Sequence, residues 1–212
     1  MELREQILQK AGELFLKYGL RRVTVDDICK ALHISKKTHY TVFKGKREMI
    51  TALLAADLEW HRQRMERSSN ADVIEQLFDA TQLKKNYQTQ KKHINLMYDL
   101  KKYYPDMYDY YRSRMMEINR KALIQFLQRG VKQGVFRDDI DTTLTADFLN
   151  QWFFHNYQAL LEAGYSGNRL NLFFANAVIN MLGTDVGKQR YAGGIEAVAA
   201  PAVKEKQKTE YL

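Results

Sequence analysis

The sequence holds one cysteine, Cys29, so no disulfide can form within the chain, and no second thiol is available for a redox pair or a zinc knuckle. That usage fits a reducing compartment. No stretch approaches the roughly 20 consecutive apolar residues that a membrane span needs. The opening segment MELREQILQKAGELF is charged throughout and lacks the apolar run and small-residue cleavage site of a secretory signal. A cytoplasmic protein with no membrane partner is expected. Strand signals are nearly absent, and so are Gly-rich phosphate loops and the nucleophile elbow of hydrolases. His61, His93 and His155 each lack a partner at the His-x-x-x-His or Glu-x-x-His spacing by which a helix holds a metal. The same gap excludes a helical metal-carboxylate oxidase, whose site needs paired Glu-x-x-His segments. Neither an enzyme, nor a metal, nor a cofactor is expected.

What is present is apolar residue at helical spacing and positive charge. Of 212 residues, 45% are hydrophobic, enough for a sizeable core, and the formal charge of +8 favours an acidic partner, nucleic acid or an anionic membrane. Leu3, Ile7, Leu8, Ala11, Leu14, Phe15 and Tyr18 recur on one helical face, and Gly19 stops it. Thr24 followed by Asp27 has the form of a capping box, in which each side chain satisfies a free amide at a helix start. Ser35 can cap again only a few residues later. Continuing in this way, the pattern predicts about nine helices, over residues 3–18, 25–32, 36–43, 46–67, 73–86, 91–103, 105–133, 142–163 and 169–182. The chain reads as all-α: an N-terminal three-helix unit with a helix-turn-helix over 1–47, a larger helical bundle over 48–183, and a flexible C-terminal tail over 184–212.

The stretch HISKKTHYTVFKGK, residues 33–46, carries the functional signal. Two short helices joined by a tight turn form a helix-turn-helix, whose second helix lies in the DNA major groove. The turn needs one left-handed residue, and His33, which stands there, is among the less costly substitutes for Gly. On the second helix Lys36 stacks with Tyr40, and Lys37 with Thr41, because residues four apart share a side. With Thr38 they make a basic, hydroxyl-bearing surface suited to phosphates and base edges. Lys46, in the first turn of the next helix, is placed to reach a phosphate, while Val42 and Phe43 anchor the second helix to the core. Thr24 joins the expected DNA-facing set.

These residues resemble a known family. TVDDICKALHISKKTHYTVFKGKREMI is similar to the DNA-binding region of TetR-like transcriptional regulators, with Thr24, Ala31, Ile34, Ser35, Thr38, Tyr40, Phe43, Lys44, Lys46 and Glu48 at matching offsets. GVFRDDID, before the penultimate predicted helix, is similar to a connector common in that family. The sequence departs from the pattern at His33 (usually Gly), Lys37 (often small), His39 (a core Leu or similar) and Thr41 and Val42 (an aromatic and His). One consequence drawn from these departures is a partly exposed His39 that touches DNA. The resemblance implies a ligand-responsive repressor that binds a palindromic operator as a homodimer, and it assigns ligand sensing and dimerisation to the bundle over 48–183; the alternative weighed against it is a helical adaptor for protein or anionic membrane.

The bundle is expected to supply the other parts. The last two long predicted helices are apolar on more than one face, so they need a neighbour besides the chain's own core, and a symmetry mate is the economical one. Phe148, Phe153, Leu160, Phe173, Phe174, Val178 and Met181 are the expected interface. Met97, Tyr98, Tyr103, Met107, Tyr108, Tyr111 and Met115 crowd two adjacent helices and, with Trp152, are the candidate pocket for a small apolar or aromatic effector.

Overall fold

A computed structural model describes residues 2–68, 71–81 and 96–194. The described residues are helical throughout, and their only sheet-like pairing is a single antiparallel bridge between Phe136 and Gly183. Ten helices follow in order: α1 (Leu3–Tyr18), α2 (Val25–Leu32), α3 (Lys36–Tyr40), α4 (Lys46–Arg67), α5 (Val73–Thr81), α6 (96–103), α7 (Pro105–Lys132), α8 (Thr142–Glu162), α9 (Gly167–Leu182) and α10 (185–194). The end of the helix expected over 73–86, the start of that over 91–103, and His93 lie outside the described residues.

The described residues pack as two compact units, one within 1–65 and 85–118, the other within 66–84 and 119–212. The expected division between residues 47 and 48 follows function along the chain; packing groups α6 and the first half of α7 with the N-terminal helices.

In the first unit α1 turns Ile7, Ala11 and Phe15 inward, four residues apart, against Ile28 of α2 and Met49 and Ile50 of α4. Phe43, Leu20, Val23, Leu100 and Met107 complete that core. Burying each large side chain contributes about 1.5–3 kcal/mol, which is what holds helices as short as α2 and α3 that could not persist alone. α1 ends where Gly19 takes φ 86° and donates its N–H to the Phe15 carbonyl.

The second unit is built on α5 packed against α9, with α8 beside α9. Val73, Ile74 and Leu77 of α5 meet Leu127 of α7, Ala146 and Leu149 of α8, and Ala175, Val178, Ile179 and Leu182 of α9, joined by Val135 and Phe136 from the α7–α8 connection. Asp141 caps α8 by accepting N–H bonds from Thr143 and Leu144, both at 2.9 Å.

Residues 185–194 correct the expected tail, because they form α10. Thr184 starts it, its hydroxyl accepting the Gly187 N–H at 3.0 Å and donating to the Gly134 carbonyl at 2.7 Å. Tyr191 is 4% exposed and stacks on Phe78 with ring centroids 5.1 Å apart, while Arg190 pairs with Asp72 at 2.8 Å. A segment with three glycines in ten residues, and so poor helix propensity, is thus held by docking onto α5. Residues 195–212 lie outside the described residues.

Candidate nucleic-acid interface

The helix-turn-helix is assembled from local chemistry. Thr24 and Asp27 close a reciprocal capping box, Asp27 N–H to Thr24 Oγ1 at 3.2 Å and Thr24 N–H to Asp27 Oδ2 at 2.8 Å. The Thr24 hydroxyl also donates to that carboxylate at 2.7 Å, and these bonds hold the Asp27 carboxyl below its ordinary range. α2 ends at His33, left-handed at φ 55°, ψ 38°, which lets the Ile34 N–H return to the Cys29 carbonyl at 3.0 Å. Ser35 then caps α3 by accepting the Thr38 N–H at 3.0 Å.

α3 is five residues long, shorter than the expected 36–43; Thr41 closes it, and the Val42 and Phe43 N–H groups bond to the His39 carbonyl. Its inner side is His39, fully buried, with Phe43 at 1% exposure four residues on. The two rings lie 6.2 Å apart, and His39 Nε2 sits 3.3 Å from Met49 Sδ. His39 therefore does not reach DNA, contrary to the exposed position entertained from the sequence: it fills the core slot that an apolar residue would fill, and burial pushes its imidazole pKa down.

Its outer side is Lys36, Lys37, Tyr40 and Thr41, all exposed, with Tyr40 at 53%. Four of the expected DNA-facing residues therefore share the solvent side of α3. Thr38 is half-buried with its hydroxyl 2.8 Å from that of Ser35, and the Thr41 hydroxyl donates to the Thr38 carbonyl at 2.7 Å. Thr24 and Thr38 therefore spend their hydroxyls on shaping the motif. Lys36 carries a partner the sequence reading missed: its ammonium lies 2.8 Å from Asp26 of α2, which raises the lysine pKa. Lys30 and Lys44 add exposed cations near the motif.

Lys46 departs from expectation. Its ammonium donates to the Leu20 carbonyl, lies 5.7 Å from the Phe15 ring centroid, and has its pKa drawn down by burial. It points into the unit, so a phosphate contact by this side chain is not what the fold provides; the apolar wall of α1 accommodates its stem and a backbone oxygen takes its charge.

The candidate pocket residues divide. In the first unit Met107 and Tyr111 are buried, Met97, Tyr103, Tyr108 and Met115 are half-buried, and Tyr98 is 59% exposed. Met97, Met107 and Tyr108 pack on the core under the helix-turn-helix, and Tyr111 donates to Asp57 at 2.6 Å, so this group packs α6 and α7 onto the N-terminal helices. Trp152 belongs to the second unit, where it stacks on Phe174 at 5.6 Å. Phe153 stacks on Tyr157 at 4.6 Å beside them, an aromatic cluster only partly anticipated.

The expected interface residues also divide. Phe148 and Phe173 are each 60% exposed and Met181 is 45% exposed, while Phe153, Leu160 and Phe174 are half-buried. Val178 is 2% exposed inside the unit's own core and is unavailable to a partner, which corrects its assignment; it lies on the α9 face that meets α5. Leu144, missed in the sequence, is 67% exposed one turn before Phe148. Among the described residues no group of side chains could hold a metal ion, and no helix is long and apolar enough to cross a membrane.

The family model described as bacterial regulatory proteins, tetR family, matches residues 7–53, the span from α1 into α4. The HTH-type transcriptional repressor KstR2 of Mycolicibacterium smegmatis is 29% identical over 153 residues, covering 69% of this chain and 73% of its own. The repressor of the same name from Mycobacterium tuberculosis is 28% identical over 159 residues, covering 69% and 75%. Among solved structures, a putative transcriptional regulator from Saccharomonospora viridis in complex with choline superposes with TM-score 0.67 at 19% identity, over 85% of this chain and 97% of its own. SmeT, the repressor of the Stenotrophomonas maltophilia multidrug efflux pump SmeDEF, does so with TM-score 0.64 at 16% identity, over 87% and 92%. With a capped helix-turn-helix, a cationic outer face on α3 and these relatives, residues 7–53 form a DNA-binding region of the kind found in the tetR family of bacterial regulatory proteins, and the chain is similar to DNA-binding transcriptional repressors.

Proposed function

We propose that this protein is a cytoplasmic, ligand-responsive repressor that binds a palindromic operator as a homodimer, reading bases with Lys36, Lys37, Tyr40 and Thr41. The observation that carries the reading is the division of α3 into a buried side, His39 with Phe43, and a solvent side of two lysines, a tyrosine and a threonine. Lysine and hydroxyl groups supply phosphate contacts and hydrogen bonds to base edges, while Tyr40 adds an apolar ring for a thymine methyl. Thr24 and Thr38 support the motif through their caps and can offer an oxygen to a phosphate only secondarily.

A dimer is supported by the apolar residues left on α8 and α9. Leu144 and Phe148 follow each other by one turn on α8, and Phe173 and Met181 by two turns on α9, at 67%, 60%, 60% and 45% exposure. Such residues on two neighbouring helices make a self-complementary patch when a second copy is applied through a two-fold axis. Two reading heads so related would meet half-sites about 10 base pairs apart, or a multiple of that. An apolar or aromatic effector is supported by the half-buried rings of Trp152, Phe153 and Phe174 in the second unit. Filling such a site changes DNA affinity only as far as the effector prefers one head geometry over another.

Selection of bound duplexes from a random-sequence pool, with the mass of the complex measured by light scattering, tests the reading. An inverted repeat bound by two copies is the expected result. A selected site without two-fold symmetry, or no enrichment at all, overturns it. Effectors are then those compounds that release the protein from the selected duplex.

A further inference from the structure

The two ends of the helix-turn-helix are tied together at one residue, Leu20. The motif is entered from α1 through residues 19–24 and left through residues 41–45 into α4. Lys46, the first residue of α4, donates its ammonium to the Leu20 carbonyl and so joins exit to entry. From α6, Asp99 accepts the Leu20 N–H at 2.8 Å through Oδ2. Leu20 is 2% exposed, so both of its backbone polar groups depend on these partners for satisfaction. Burial draws the Lys46 pKa down, and the carboxylates of Asp99 and of Asp27 in the capping box offset part of this by favouring the charged ammonium. Gly19 is adapted to the arrangement twice over: it takes φ 86°, and a β-carbon there would stand 2.7 Å from Asp99 Oδ2.

We propose that Asp99 is a positioning residue for DNA recognition, which sets the orientation of α2 and α3 by clamping Leu20 together with Lys46. The inference rests on the reading of α3 as the recognition element. The α1–α2 connection has few residues, and Leu20 is followed closely by Val23 in the core and Thr24 at the α2 cap, so a shift at Leu20 is carried into α2 with little slack. Asp99 bonds to Leu20 and not to Lys36, Lys37, Tyr40 or Thr41. Its loss therefore affects the aim of the lysines and leaves their charge in place. Sequence-specific contacts depend on that aim, whereas attraction to phosphates depends on charge alone. Selective loss of operator binding is the signature.

The test uses the full chain, the duplex it selects from a random pool, and an unrelated duplex of equal length. Asp99→Ala is expected to weaken binding to the selected duplex about ten-fold and to leave binding to the unrelated duplex within about two-fold. Asp99→Asn, whose carboxamide oxygen still accepts the Leu20 N–H, is expected to recover most of the loss. If Asp99→Ala does not fold, Lys46→Met, which keeps the packed stem and removes the bond to the Leu20 carbonyl, is expected to give the same selective loss. Hydrogen exchange without DNA gives the independent readout: the Leu20 amide loses protection in Asp99→Ala, keeps it in Asp99→Asn, and the Ile28 amide is unchanged. Equal weakening toward both duplexes, unchanged affinity for both, or an unaltered Leu20 amide overturns the proposal. A wild-type chain that selects no duplex defeats the functional reading instead, while the exchange result still decides whether the clamp exists.

Discussion

The first unit and the second treat apolar residues in opposite ways. Around the helix-turn-helix Ile28, His39 and Phe43 are closed over, with Val25 and Leu32 half-buried against the same core, and the solvent side of α3 is cationic with one exposed tyrosine. On α8 and α9 large apolar residues, Leu144, Phe148, Phe173 and Met181, remain in solvent although a core lies directly beneath them. The first arrangement is that of a finished module whose outer surface meets a polyanion. The second leaves an apolar face open, as the proposed dimer requires. The lesson is that hydrophobic density alone does not locate a core: on α9, Val178 and Phe173 lie five residues apart, yet one is sealed against α5 and the other is open.

The comparison can be broken most sharply at Phe43. Replacing it with alanine empties the 1%-exposed anchor of α3 and is expected to cost about 3–5 kcal/mol in urea unfolding. DNA binding should go with it, and self-association through α8 and α9 should survive in whatever fraction keeps the second unit folded. A smaller effect is expected from Phe148→Glu combined with Phe173→Glu. Sedimentation should register dimer association weakened by about 100-fold or more, with thermal stability of the second unit nearly unchanged because neither ring is buried in its core.

Smaller again are the changes of single charges on α3. Lys37→Ala should lower the slope of log affinity against log salt by about one unit. Asp26→Asn, which frees Lys36 from its 2.8 Å partner, should raise affinity for unrelated duplexes by a few-fold. Fluorescence anisotropy at several salt concentrations checks both, and a slope unmoved by Lys37→Ala would remove that residue from the interface. Lys46→Ala is not expected to change the slope, since its ammonium is already spent on Leu20.

The smallest expected effect is a pH dependence. Burial holds the His39 pKa below its ordinary 6.5, and Nδ1 has no hydrogen-bond partner. Below that ordinary value the unfolded chain takes up a proton that the folded one resists, so this group's contribution to stability is present above about pH 6.5 and is lost as pH falls toward the folded value. His39→Leu should narrow the difference in melting temperature between about pH 7.5 and about pH 5. A difference that stays the same would assign the acid sensitivity to other groups.

Much of the reading head was legible because its determinants are local. A capping box spans four residues, a left-handed turn needs one tolerant residue, and an inner and outer side follow from helical spacing, so Thr24, Asp27, His33, Ser35 and Phe43 could be placed before any fold was known. Charged side chains were less legible. Lys46 has the residue type and position of a phosphate ligand, but its direction was decided by Leu20, 26 residues away in sequence. The composition of the tyrosines and methionines of α6 and α7 suits a pocket, but only packing decides that Met107 and Tyr111 are buried against the N-terminal helices. α10 was unreadable for the same reason, since Tyr191 gains its place only by stacking on Phe78.

By itself, then, the sequence determined an all-helical chain with a capped helix-turn-helix and a cationic outer face on its second helix, because caps, turns and helical periodicity act over a few residues. Tertiary structure alone decided which apolar side of α8 and α9 is sealed, that the segment after α9 docks as a helix, and that Asp99 and Lys46 meet at Leu20. Those outcomes depend on groups far apart along the chain, whose mutual burial and hydrogen bonding exist only once the helices have packed.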